Sequence, residues 1–554
     1  MRHIALFADR AHALRSRIFP PRPGKTPEHC TPPHHRPGGE MTEVVAHAVP
    51  PSATSKGLRP GALSMVSSVV IGTASTAPAY SIAATLGLLV IAGTGFQAAS
   101  FVLFAFVPVM FVALAFRELN SAEPDCGTNF TWATRAFGSK VGWMSGWVVT
   151  IAQLLAMTSQ SAISGKYTLL LFGAKDLADN KFATMGVGLA WLVLLCWICY
   201  RGIEVSARLQ WVLLAVELTV LVIFSVVALY RVFDGSAGPQ ASAPQLSWLL
   251  PTGIGAGAFI AATLPAVFLY WGWDSSVSVN EESADPRRGP GKAAVLSTVL
   301  LVLNYVIVTI AALAFAGIGA AGIGLGNPDN SDDVLAGLGS AVFGEGSFGK
   351  VMGVLLIVSV LTSAAASSQA TIMPCARTTL SMASHGALPE VFAKVHPRYL
   401  TPTVSTWTFG IVSFALYVLL SLLSDDVLSD SVSAVGLTIG VEYAMTALAC
   451  VWIFRKTLLG SVRNFFMRGV FPLIGGLFFA LVLVLAVIYY AQPDSGETTI
   501  FGIGGVAVIG VLAIVIGVPL MAIVYRGCRD FFAGRSLPRG SVPTDGDSIV
   551  ADRV

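Results

Sequence analysis

Ile71-Gly72-Thr73-Ala74-Ser75-Thr76-Ala77-Pro78-Ala79-Tyr80 lies within an apolar stretch that otherwise runs from 61 to 91. A helix relaxes at Gly72 and loses a hydrogen-bond donor at Pro78, so this run predicts a helix interrupted near its middle. A second stretch, 254 to 280, carries Phe268-Leu269-Tyr270-Trp271-Gly272-Trp273-Asp274, a glycine among bulky aromatics just ahead of a carboxylate. Gly, Ser and Thr also serve close packing in membrane helices, and one such interruption alone reads as packing.

Around these two runs the rest of the chain sets the solvent. Of its 554 residues, 54% are hydrophobic and 12% charged, about half the charged share of a soluble domain. A bilayer core is crossed by roughly 20 apolar residues in a helix. Twelve such stretches are present: 61–91, 96–116, 142–172, 183–200, 206–230, 254–280, 292–318, 350–376, 402–424, 431–454, 469–491 and 499–525. A barrel would need short strands alternating apolar and polar residues, so the expectation is an all-α membrane protein of twelve transmembrane helices.

With the N-terminus inside, the outer loops hold only Lys175, Lys181, Arg231 and Lys350, with Lys166 near the outer end of the third stretch. The remainder of the 34 Lys and Arg fall inside. That bias predicts both termini in the cytoplasm of a multi-pass plasma-membrane protein. A formal charge of +3 gives no reason to expect nucleic acid, and the bilayer is the expected partner.

Residues 1–60 are rich in Pro, His and Arg without apolar period, as in a disordered cytoplasmic tail. Gly38-Gly39-Glu40 can be encoded by a purine-rich stretch resembling a ribosome-binding site ahead of Met41, so translation is expected to start at Met41. Residues 61–525 form the expected transporter domain and 526–554 a cytoplasmic C-terminal tail. His29, His34 and His35 lack a preorganised frame, and Cys196 and Cys199 read as helix packing, so no metal or cofactor is expected. Gly317-Ile318-Gly319-Ala320-Ala321-Gly322 matches a nucleotide fingerprint literally but follows no strand.

Two interruptions five helices apart match transporters built from inverted repeats, in which paired broken helices expose backbone groups to substrate at the midplane. An ordered series of motifs extends the match. Glu118-Leu119-Asn120-Ser121-Ala122-Glu123-Pro124 is followed by Gly127, Trp132, Phe137-Gly138 and Gly142. Arg201-Gly202-Ile203-Glu204-Val205-Ser206-Ala207-Arg208 precedes the fifth helix. Glu281-Glu282, Asp285-Pro286-Arg287-Arg288 and Pro290 follow the sixth, and Ala376-Arg377, Gly386-Ala387-Leu388-Pro389, His396-Pro397 and Thr401-Pro402 follow the eighth.

In this series the chain resembles an amino acid permease of the amino acid, polyamine and organocation superfamily over residues 60 to 455. The resemblance implies a leucine-transporter-like fold, with helices 1–5 and 6–10 as inverted repeats and two peripheral helices. It implies a substrate pocket lined by Gly72, Thr73, Ala74, Ser75, Thr76, Ala77, Tyr270, Trp271, Gly272 and Trp273. The sequence departs from the family in a Ser/Thr-rich first break and in Glu217, where many proton-coupled relatives carry lysine.

Glu217 and Glu442 each lie about 16 Å into their helices at 1.5 Å per residue, near mid-membrane. Carboxylates at that depth are functional by default, so both are candidates for proton coupling. Ser359 and Ser363 are candidate sodium ligands, or packing hydroxyls. The expected activity is secondary active transport of an amino acid or related amine by alternating access, coupled to protons. Exchange or sodium symport are the alternatives, and a membrane-embedded enzyme or a non-transporting sensor are readings of another class.

Overall fold

The computed structural model describes residues 56–328, 334–344, 346–423, 427–493 and 499–540. The expectations for the histidine cluster and for a start at Met41 lie outside these residues. The tail expected through residue 60 is fixed from Lys56 onward, where ion pairs hold it (below).

Helices cover the apolar stretches. The first comprises α1 (Met65–Ser75) and α2 (Pro78–Leu89), followed by α3 (Ala98–Ala122). A buried nine-residue helix, α4 (Asn129–Phe137), fills the first inner loop. Then come α5 (Ser139–Leu171), α6 (Lys181–Arg201) and α7 (Ile203–Phe233). The sixth stretch is α8 (Ala256–Phe268), a run of turns and a short helix Ser275–Ser278. Next are α9 (Gly289–Ala316), α10 (Val334–Phe343), α11 (Ser347–Ser384), α12 (Thr403–Leu423) and α13 (Val427–Phe454). The chain ends in α14 (Phe471–Tyr490), α15 (Gly505–Val515) and α16 (Gly517–Tyr525).

Ten helical spans among the described residues are long and apolar enough to cross a membrane, the first of them, Met65–Ala122, taking in α1 to α3. Ala256–Phe268 is a further, shorter apolar helix. The last stretch, expected to be helical from 499, instead opens with an antiparallel pair, β1 (Thr499–Ile500) and β2 (Ile503–Gly504). Phe501 and Gly502, both at positive φ, supply the tight turn, which is the backbone twist a two-residue hairpin needs.

Small residues set the helix spacing. α5 packs on α6, α11 and α13, and α1 lies against α7, α9 and α11. At Gly165 and Gly188 a side chain would run into the backbone of the facing helix, as expected where membrane helices approach through small residues. Gly410 of α12 faces Cys196 of α6, where a Cβ would come within 2.7 Å of the sulfur, so this cysteine packs two helices together.

Candidate functional site: two broken helices in contact

α1 stops at Ser75, not at Gly72. Thr76 and Ala77 tighten onto the carbonyls of Thr73 and Ala74, and Ala77 takes a left-handed conformation, φ 47°. Pro78 then opens α2 at the position where a missing N–H costs nothing. Gly72, expected to loosen the backbone, is helical. A Cβ there would come 2.8 Å from Ser297 Oγ and 2.9 Å from the Trp273 carbonyl, so this glycine serves close approach. The break is Thr76–Ala77.

The groups freed by this break are capped from other helices. Ser367 Oγ of α11 donates to the Ser75 carbonyl at 2.6 Å. At the start of α2, the Ala79 N–H donates to Glu217 Oε1 at 2.7 Å, and the Tyr80 N–H to Ser363 Oγ at 3.2 Å. Ser363 in turn donates to Glu217 Oε1 at 2.7 Å. Glu217 is thus an acceptor at a helix N-terminus, where the helix dipole favours negative charge. Ser359 spends its hydroxyl on the Leu356 carbonyl of its own helix.

The second break runs through the turns of 269–274. Gly272 has φ 117°, and a Cβ on it would lie 2.9 Å from the carbonyl carbon, the carbonyl oxygen and the hydroxyl of Ser75. Ser75 Oγ and Ser275 Oγ are 2.8 Å apart. The two interruptions therefore touch, and residues 68–87 and 262–280 are buried throughout. Of the aromatics, Tyr270 donates its hydroxyl to the Val102 carbonyl at 2.8 Å and packs edge-on to Tyr305. Trp273 packs on Phe116 and Tyr443. Trp271 is buried with no hydrogen-bond partner for its indole N–H.

Sequence reasoning missed Tyr80 as a site residue, and Tyr305, Thr158 and Gln160 altogether. The hydroxyls of Tyr80, Tyr305, Thr158 and Thr73 are buried without partners. Gln160 bonds Ser367 and Thr371. Buried polar groups are normally satisfied, so Thr73 and Tyr80, left open on either side of the first break, are candidate contacts for a polar ligand. Tyr80 lay inside the quoted run. The others sit in apolar helices with nothing local to mark them.

Below the breaks, Lys56 Nζ binds Asp125 Oδ2 at 2.8 Å and Glu281 Oε1 at 2.6 Å. His385 Nε2 lies 2.9 Å from Asp125 Oδ2. Leu63 and Ser283 form a backbone bridge, and Arg377 pairs with Glu282. Burial opposes the Lys56 charge, but Asp125 and Glu281 outweigh it and raise the ammonium above the ordinary lysine value. Burial likewise pushes the Asp125 carboxyl up, and Lys56 and His385 more than reverse this, holding it well below the usual carboxylate range. Asp125, Cys126 and Glu281 stand close enough to hold a metal ion, but the Lys56 ammonium already occupies both carboxylates.

The amino acid permease family profile matches residues 60–525. The chain belongs to this family. The permease is 28% identical to the branched-chain amino acid permease of Bacillus subtilis over 422 residues, 72% of this chain and 83% of that one. It is 26% identical to the vacuolar cationic amino acid transporter 4 of Arabidopsis thaliana over 415 residues, 71% of this chain and 63% of that one. With the methylthioribose transporter of Bacillus subtilis it shares 24% over 313 residues, 54% of this chain and 62% of that one. The permease is a multi-pass membrane protein.

Proposed function

We propose that this permease carries a neutral or cationic amino acid across the plasma membrane by alternating access, as a proton-coupled secondary transporter. The observation that carries the reading is the contact between the two breaks, Gly272 against Ser75 and Ser75 against Ser275. Broken helices that meet are the substrate-holding element of inverted-repeat transporters. Twelve crossings, a 5+5 repeat and cytoplasmic termini belong to the same proposal; the loop charge bias supports the placement of the termini, and the two breaks that meet support the repeat.

Substrate would lie at Ser75–Ala77 and Tyr270–Trp273, where the indole N–H of Trp273 is without a hydrogen-bond partner. Glu217, Asp274 and Glu442 are all buried near the breaks, while the buried guanidiniums of Arg377 and Arg468 are taken by Glu282 and Glu118. That surplus of carboxyls favours amines over dicarboxylic substrates. Glu217 and Glu442 are the candidate proton carriers. Purified protein in proteoliposomes preloaded with unlabelled leucine or lysine should accumulate the labelled amino acid by counterflow. Binding without counterflow would make it a sensor.

A further inference from the structure

Asp274 follows the second break directly, and its carboxyl faces that of Glu442 on α13. Both residues are buried, at 4% and 1% exposure. Asn129 Nδ2 of α4 donates to Glu442 Oε1 at 2.8 Å. The Trp271 indole N–H faces Glu442, and the Tyr443 hydroxyl faces Asp274. Neither reaches hydrogen-bond geometry, and Asp274 Oδ1 and Glu442 Oε2 are also without partners.

Among the described residues, Lys56, His385, Arg377 and Arg468 pair with Asp125, Glu281, Glu282 and Glu118, and none pairs with Asp274 or Glu442. From α3 the neighbour is Phe116, which packs edge-on to Trp132, Trp273 and Tyr443 at 5.0 to 6.3 Å. Two buried carboxyls facing each other, walled by aromatic rings and paired with no cation among the described residues, cannot both be ionised. The donors of Asn129, Trp271 and Tyr443 suit one negative charge, and the closed packing suits a ligand without volume.

We propose that Asp274 and Glu442 form a one-proton site joining the second break to α13, and that the driving proton of transport resides there. Glu217, by contrast, is a positioning residue that caps α2. The inference rests on the proton-coupled reading above and narrows it from two candidate carriers to one pair. When the proton leaves, two like charges face each other between the break and α13, which drives them apart. Proton binding is thereby linked to the shape of the substrate site.

Infrared difference spectra of the purified permease test the site without any substrate. A protonated-carboxyl stretching band should be present at neutral pH and be lost in both Asp274→Asn and Glu442→Gln. It should be kept in Glu217→Gln. Both substitutions are near-isosteric, so if one fails to give monodisperse protein the other decides. A band unchanged in the dyad variants would overturn the site, as would a band abolished by sodium chloride at constant pH, which would make it an alkali-cation site. In proteoliposomes, leucine or lysine uptake stimulated by an inward proton gradient should fall to the gradient-free rate in either dyad variant. Persistence of the stimulation would overturn the driving role. Wild type that shows the band but no gradient stimulation would refute proton coupling while leaving the site standing.

Discussion

Gly272 combines two constraints that act on the same atom. Its φ of 117° is open to glycine and strained for an L residue, and a Cβ would strike the backbone of Ser75. Strained conformers of this kind cost about 1–3 kcal/mol, roughly a five- to hundredfold loss of the competent state. Gly272→Ala should insert normally, give monodisperse protein and lose most counterflow. Unchanged counterflow would place substrate elsewhere. Glu217→Ala strips the acceptor from the Ala79 N–H and should lower stability in detergent by about 1–3 kcal/mol, measured by thermal unfolding, whereas Glu217→Gln keeps an acceptor oxygen and most of that stability. At this scale the sequence is partly legible. Pro78 and Gly272 announce a break because proline and glycine act on the backbone they sit in. Gly72 misleads because a glycine at a helix contact and a glycine at a break read alike. What Glu217 caps depends on which helix faces it 138 residues away.

Among the elements, the segment ahead of α1 ties together distant parts of the chain. Lys56 reaches partners 70, 225 and 325 residues along the chain, binding the first break's helix to the first inner loop, to the loop after the second break and to the end of α11. In the proposed alternating-access cycle, opening the side that holds Lys56 requires these pairs to separate. Removing one partner of a buried pair costs about 3–5 kcal/mol, so Lys56→Met should destabilise the closed form and raise labelling of a cysteine placed at Ser275 from the cytoplasmic side. Labelling equal to that of the Lys56 parent would exclude a latch.

The pH dependence follows from the two shifts. Asp125 is depressed, so its contribution is complete above the ordinary aspartate value of 3.8 and lost as pH falls through its lower folded value. Lys56 is raised, so its contribution is complete below the ordinary lysine value of 10.5 and lost as pH rises through its higher folded value. The contribution of this cluster to wild-type stability should therefore be complete between those limits and shrink outside them, as read from thermal unfolding of wild type against pH. Composition places residues up to 60 in a tail, because nothing local tells a solvated lysine from one whose acidic partners arrive from three other loops.

For the whole molecule, the apolar stretches are legible because bilayer thickness imposes their length on any spanning chain. Pairing of the breaks is legible only through their spacing, and the closed, fully buried state of the site not at all, since it is a property of how ten or more helices pack. The account rests on substrate being held where the breaks meet and released to either side. Its most direct test is counterflow in proteoliposomes of wild type and Gly272→Ala, loaded with unlabelled leucine or lysine and given the labelled form outside. A transient overshoot of label is expected in wild type and none in Gly272→Ala. Equal overshoot in both, or label in wild type no higher than in protein-free liposomes despite binding to the purified protein, would contradict it.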